Sequence, residues 1–134
     1  MPPDLLTARL RLEPLRLEHA DMLFQAMQDD AIYTYIPQDP PKRQELHKRY
    51  AFLEDGKSSD GQEDWLNWVA FLHETSEPIG TFQATVPQKA EAAIAYTVFP
   101  PFWRKGYAQE MAYRVATHLF EQYECPGLYA EIDT

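Results

Sequence analysis

Along the first half of the chain the spacing of apolar residues changes period twice. Arg9, Leu10, Arg11 and Leu12 alternate polar with apolar, the period of a half-buried strand, and Pro14 stops it. From His19 to Gln28 the spacing becomes helical and puts Ala20, Leu23, Phe24 and Met27 on one face. Asp39 followed by Pro40 reads as a cap and a first-turn proline, which predicts a second helix starting there and burying Leu46, Tyr50 and Leu53. Three strand patterns come next: WLNWVAFLH at 65–73, IGTFQATV at 79–86 and AAIAYTVF at 92–99. The turns between them, ETSEP and PQKA, are short, so the three should form an antiparallel meander. Trp65 and Trp68 fall on opposite faces of the first, and at least one should be core. Helical spacing then returns, with Met111, Val115, Leu119 and Phe120 predicted to face inward. CPG at 125–127 ends that helix, and LYAEI at 128–132 is a last strand.

A closing strand, helix, strand order predicts a right-handed crossover to a parallel neighbour. The expected class is therefore α+β, with a mixed, mainly antiparallel central sheet flanked by helices. DGKSSDGQED at 55–64 reads as an exposed loop within one domain spanning 1–134.

Composition removes several classes of function. An apolar share of 45% over 134 residues supports a packed core. A net charge of −9 repels phosphate backbones, so nucleic acid is not an expected partner, whereas cationic small molecules or basic peptides are attracted. No apolar run approaches the ~18 residues of a membrane span. The opening MPPDLLTARL has no basic segment followed by an apolar one, and a cytoplasmic location is expected. The single cysteine, Cys125, excludes an internal disulfide and fits a reducing compartment; it reads as a small, semi-buried residue at a helix end. The four histidines have no ligand spacing, so no metal site is expected.

Against this acidic background stands FWRKGYAQEM at 102–111, a basic bend centred on Gly106 between a strand and a helix. A bend feeding a helix N-terminus presents N–H groups without intrahelical partners, at the positive end of the helix dipole. Gly106 permits a positive φ or close approach of backbone to ligand, and Arg104 and Lys105 add charge at the rim. Such a bend suits an anion, a pyrophosphate above all. The spacing matches neither a P-loop nor a dinucleotide fingerprint. Glu110, in the first helical turn, reads as a carboxylate favoured there by the dipole.

The bend resembles the acyl-CoA pyrophosphate loop of the GNAT acyltransferase superfamily. In that pattern Val98 and Pro100 close the strand, Gly106 is the glycine and Ala108 the final small residue, while Trp103 replaces the usual Gln or Arg. Thr7, Arg9, Leu10, Leu12, Pro14, Leu15 and Asp21 are similar to the opening of the RimJ/RimL-type branch, and EPIGTF at 77–82 to its second-to-third strand hairpin. The resemblance covers residues 5–134.

What it implies is an N-acetyltransferase that moves an acetyl group from acetyl-CoA to a primary amine, either a protein N-terminus or a small amine. Cofactor contacts are implied for Tyr96, Val98, Phe99, Arg104, Lys105, Gly106, Tyr107 and Ala108, with backbone donors drawn from the Tyr96–Phe99 segment. Glu91 is the candidate general base; its other reading is a solvated carboxylate at a strand start. Tyr33 and Tyr35 fall where the family forms one wall of the acceptor site, and either line it or simply pack. Relatives usually continue beyond EIDT with a further helix and two strands. On that ground three outcomes are expected as alternatives: a truncated chain, a sheet completed by another copy in a homodimer, or a non-catalytic CoA-binding remnant.

Overall fold

A computed structural model of the chain describes residues 4–33, 39–54, 63–87, 91–123 and 127–130, with only the backbone at 30, 33 and 128–130. The strands are β1 (Leu5–Leu6), β2 (Leu10–Pro14), β3 (Glu63–Leu72), β4 (Pro78–Pro87), β5 (Ala92–Val98) and β6 (Leu128–Ala130). The helices are α1 (His19–Phe24), α2 (Arg43–Leu53) and α3 (Tyr107–Gln122). The six strands form one sheet in chain order, antiparallel from β1 to β5, with β6 parallel to β5. This is the α+β class expected from the pattern.

Alternation along β3 decides which side each layer covers. Leu66, Trp68 and Ala70 face α3 and meet Met111, Val115 and Leu119. Val69 and Phe71 face the other way and meet Leu15, Ala20 and Leu23 of the α1 region and Leu46 and Tyr50 of α2. Trp68 is wholly buried, while Trp65 is half-buried with its ring 5.4 Å from that of Phe52. On the outer surface of the helical pair, the Asp21 carboxylate accepts hydrogen bonds from His47 (2.9 Å) and Arg43 (2.5 Å), which hold it below its ordinary pKa.

Four local expectations are corrected. The second helix starts at Arg43, because Asp39 and Pro40 each precede a proline and are biased to extended backbone; Lys42, the cap, is itself extended at φ −78° and ψ 156°. The first helix ends at Phe24 and tightens into a 3-10 turn at Ala26–Gln28. β3 begins at Glu63, two residues inside the stretch read as loop, where Glu63 and Asp64 pair with Pro87 and Val86. On α3, Phe120 is exposed and His118 takes the inward place, since at 100° per residue position 120 lies opposite Met111. The rest of the 55–64 loop, Cys125, and Glu131 and Ile132 of the last strand lie outside the described residues.

Two buried histidines give the fold a pH dependence. Among the described residues, His118 Nε2 has no hydrogen-bond partner, and its ring packs edge-on against Trp68 and Tyr123. Burial pushes the His118 pKa down, helped by the Arg114 charge. His19 is also pushed down by burial, partly offset by its contact with Glu13. Both imidazoles are therefore biased toward the neutral form in the folded state, while in the unfolded chain they protonate below about pH 6.5. Stability should be level above pH 7 and fall as pH drops from about 6.5 through the lowered folded values, by at most about 1.4 kcal/mol per pH unit for each histidine. Denaturant unfolding at pH 7.5 and 5.5 checks this, and His118→Phe should flatten the slope.

Candidate functional site

The meander ends in a cleft of about 410 Å³, lined by Ile32, by Tyr96–Val98 of β5 and by Phe102–Gln109. Its floor follows from strand register. Phe99 N–H donates to Ile79 O at 2.8 Å, and Thr97 pairs with Thr81, so alternation turns the polar groups of Val98 away from β4. The Trp103 indole N–H reports that direction, donating to Val98 O at 2.5 Å across the bend. Among the described residues, β6 pairs with β5 only at Ala92, Ala93 and Ile94, well short of this end.

The wall of the cleft is the bend itself. Pro100–Phe102 form a 3-10 turn, and the chain then passes through two left-handed residues, Arg104 at φ 62° and Gly106 at φ 81°. Gly106 caps α3 without a side-chain hydrogen bond, and the first intrahelical bond runs from Glu110 N–H to Gly106 O at 3.1 Å. The N–H groups of Tyr107, Ala108 and Gln109 precede that bond, and all three residues line the cleft. Three orphan donors, the positive end of a 16-residue helix, and two cations with no described ion pair converge on one concavity. Such a surface can hold a polyanion, and its donors fit the diphosphate group that the sequence pattern implies.

Of the residues singled out in the sequence, Tyr96, Val98, Arg104, Lys105, Gly106, Tyr107 and Ala108 line the cleft together. Phe99 does not. It is 2% exposed in the core beneath α1 and α2, and its N–H is already committed to Ile79. Glu91 sits at the opposite end of β5, roughly 23 Å from Val98 at the extended-strand rise. There it is exposed beside Gly127, where an added Cβ would lie 3.1 Å from its Oε1. Glu91→Gln should accordingly change turnover less than about twofold. A loss of about a hundredfold in steady-state rate, the scale of a general base, would return it to the site. Tyr33 lies in the 3-10 turn Asp30–Tyr33, next to the cleft residue Ile32, and Tyr35 lies outside the described residues.

Ile32, Thr97, Phe102, Trp103 and Gln109 also line the cleft. Trp103 carried a usable signal, an aromatic N–H donor placed where a strand turns into a helix. Less visible was a network behind the bend. Glu110 Oε2 accepts from the Thr7 hydroxyl and from Arg9 N–H (3.0 Å), and Oε1 accepts from Arg9 Nε (2.7 Å). Burial alone would raise the Glu110 pKa, but the hydrogen bonds from Thr7 and Arg9 outweigh it and hold the carboxyl below its ordinary value.

Comparison with known proteins gives this geometry a setting. Residues 9–134 match the family model described as the acetyltransferase (GNAT) domain. The chain is similar to the uncharacterized N-acetyltransferase YoaA of Bacillus subtilis, 25% identical over 120 residues, covering 88% of this chain and 67% of the relative. Among solved structures, an acetyltransferase from Thermus thermophilus superposes with a TM-score of 0.74 at 21% identity, over 95% of this chain and 77% of that one. RimL, an α-N-protein acetyltransferase of a ribosomal protein, solved in complex with coenzyme A, superposes with a TM-score of 0.72 at 16% identity, over 91% of this chain and 70% of that one.

Proposed function

This chain belongs to the GNAT acetyltransferase family, and we propose that it transfers an acetyl group from acetyl-CoA to a primary amine. The observation that carries the reading is the left-handed bend at Arg104–Gly106, which opens the first-turn N–H groups of α3 into the cleft beside the end of β5. Residues 107–109 would hold the diphosphate through backbone, with Arg104 and Lys105 adding charge around it. Bound there, acetyl-CoA supplies an acetyl group activated as a thioester.

The chain's own part is then alignment. Val98 N–H, turned away from β4, would donate to the acetyl carbonyl oxygen and stabilise the negative charge that grows on it. The acceptor approaches along β5 as the free amine. Its nitrogen forms the new N–C bond while the C–S bond breaks, and the proton it loses balances the thiolate released. Among the described residues, no carboxylate lines the cleft. Rate should therefore follow deprotonation of the acceptor amine rather than titration of an enzyme carboxylate. The net charge of −9 favours a cationic acceptor at the encounter stage. RimL acts on a protein α-amine, which makes N-terminal peptides one arm of the acceptor panel.

The test is to incubate the protein with acetyl-CoA and a panel of amines and N-terminal peptides, following free CoA thiol and acceptor mass together. Thiol release matched by an acceptor gain of one acetyl group supports transfer. Tight acetyl-CoA binding without any acetylated acceptor would make the chain a CoA-binding module instead.

A further inference from the structure

The bend contains two left-handed residues, one of them the non-glycine Arg104, and such a conformation persists only when its surroundings impose it. At the tip, the described hydrogen bonds supply one long-range tie: Arg9 NH1 donates to Lys105 O at 3.0 Å, from 96 residues away in sequence. Arg9, although its side chain is 45% exposed, has several ties of its own. Its Nε and backbone N–H bind the two oxygens of Glu110, and its guanidinium carbon lies 4.4 Å over the Tyr107 ring. The turn that presents it is closed by Thr7 N–H to Leu10 O and Leu10 N–H to Thr7 Oγ1, each at 2.9 Å. NH2 also lies directly under Gly106, 3.5 Å from where a Cβ would stand.

We infer that Arg9 is a positioning residue for the cofactor loop. It is a rigid fork between the N-terminal turn and the Lys105 carbonyl, and it sets residues 104–106 in the anion-receiving conformation before ligand arrives. This rests on the acetyl-CoA reading for its consequence but not for its geometry. Arg9 is not among the residues that line the cleft, its charge is paired with Glu110, and NH1 donates to a carbonyl, so its described contacts support the bend rather than the anion. The planar shape of guanidinium is what the position requires. A lysine keeps the charge but has one freely rotating nitrogen, and cannot reproduce the fixed pair of donors that Nε and NH1 give to Glu110 and Lys105 O.

Arg9→Lys separates shape from charge. In ligand-free protein, amide hydrogen exchange at 104–108 should accelerate about tenfold or more, while β3, β4 and the second half of α3 keep their protection and Tm stays near wild type. Titrated with CoA, the same variant should bind about tenfold more weakly, with a salt dependence parallel to wild type. KM for acetyl-CoA should rise while kcat holds. Arg104→Ala should do the opposite, binding with a shallower salt slope and leaving loop exchange unchanged. Two exchange outcomes overturn the inference: unchanged exchange at 104–108 in Arg9→Lys, or a general loss of protection across the sheet. If the wild-type chain binds no CoA, the acetyl-CoA reading fails, while the exchange experiment still decides whether Arg9 shapes the loop.

Discussion

Gly106→Val should lower CoA affinity by about tenfold to a hundredfold while leaving the fold intact. The position has room, since a Cβ there would meet only Arg9 NH2, at the ordinary contact distance of 3.5 Å. What it lacks is a tolerable φ. Gly106 sits at +81°, and a β-branched residue held there costs of the order of 1–3 kcal/mol. In the free variant the bend is expected to relieve that strain by turning residue 106 to negative φ, which would re-aim the N–H groups of Tyr107 and Ala108 out of the cleft. Binding must then restore the strained form, and the affinity drops. A graded series checks the cause. Asn enters the left-handed region more easily than Ala, and Ala more easily than Val, so binding measured by titration should weaken in the order Gly, Asn, Ala, Val. Equal losses for all three substitutions would point to lost space rather than backbone conformation.

Gly80→Ala should be the most damaging single-methyl substitution in the sheet, costing about 3 kcal/mol or more of stability. Gly80 pairs with Val98 across β4 and β5, and an added Cβ would lie 2.1 Å from Thr97 O and 3.0 Å from the Val98 Cα. Both obstacles are backbone, so no side chain can swing aside. β5 must move outward at the point where it forms the cleft floor. Equilibrium unfolding should show the loss, and any protein that still folds should bind CoA poorly. A Gly80→Ala protein of wild-type stability would mean that β4 and β5 are less closely apposed there than the structure has them.

These two glycines show what the sequence made legible. Gly106 stood out because a glycine between two cations and a helix start has a local meaning, carried by orphan N–H groups and a dipole. Gly80 drew notice only as part of EPIGTF, and its reason, a backbone oxygen on another strand, is not local. The strands and the last helix were readable from period alone, since burial follows alternation in β3 and helical spacing in α3. Boundaries failed where a second effect competed, as with consecutive prolines ahead of Arg43. Phe120 failed because its apolar character was given more weight than its angle. Glu91 was drawn from its position beside β5, but seven residues of extended chain put it at the end away from the cleft. The Thr7–Arg9–Glu110 network joins positions more than 100 apart in sequence. Each residue had a sufficient separate explanation, and nothing in the linear chain brings them together.

Isothermal titration of acetyl-CoA into the wild-type protein, run beside Gly106→Val, bears most directly on the loop as the donor site. The expected result is one site per chain for wild type and binding about tenfold to a hundredfold weaker for the variant. In parallel, wild type alone should gain about 2.7 kcal/mol of stability at a hundredfold excess over Kd. Acetyl phosphate, which lacks the diphosphate and the pantetheine arm, should give no such gain. No heat and no stabilisation of the wild-type protein at millimolar acetyl-CoA would contradict the account, as would equal binding by Gly106→Val.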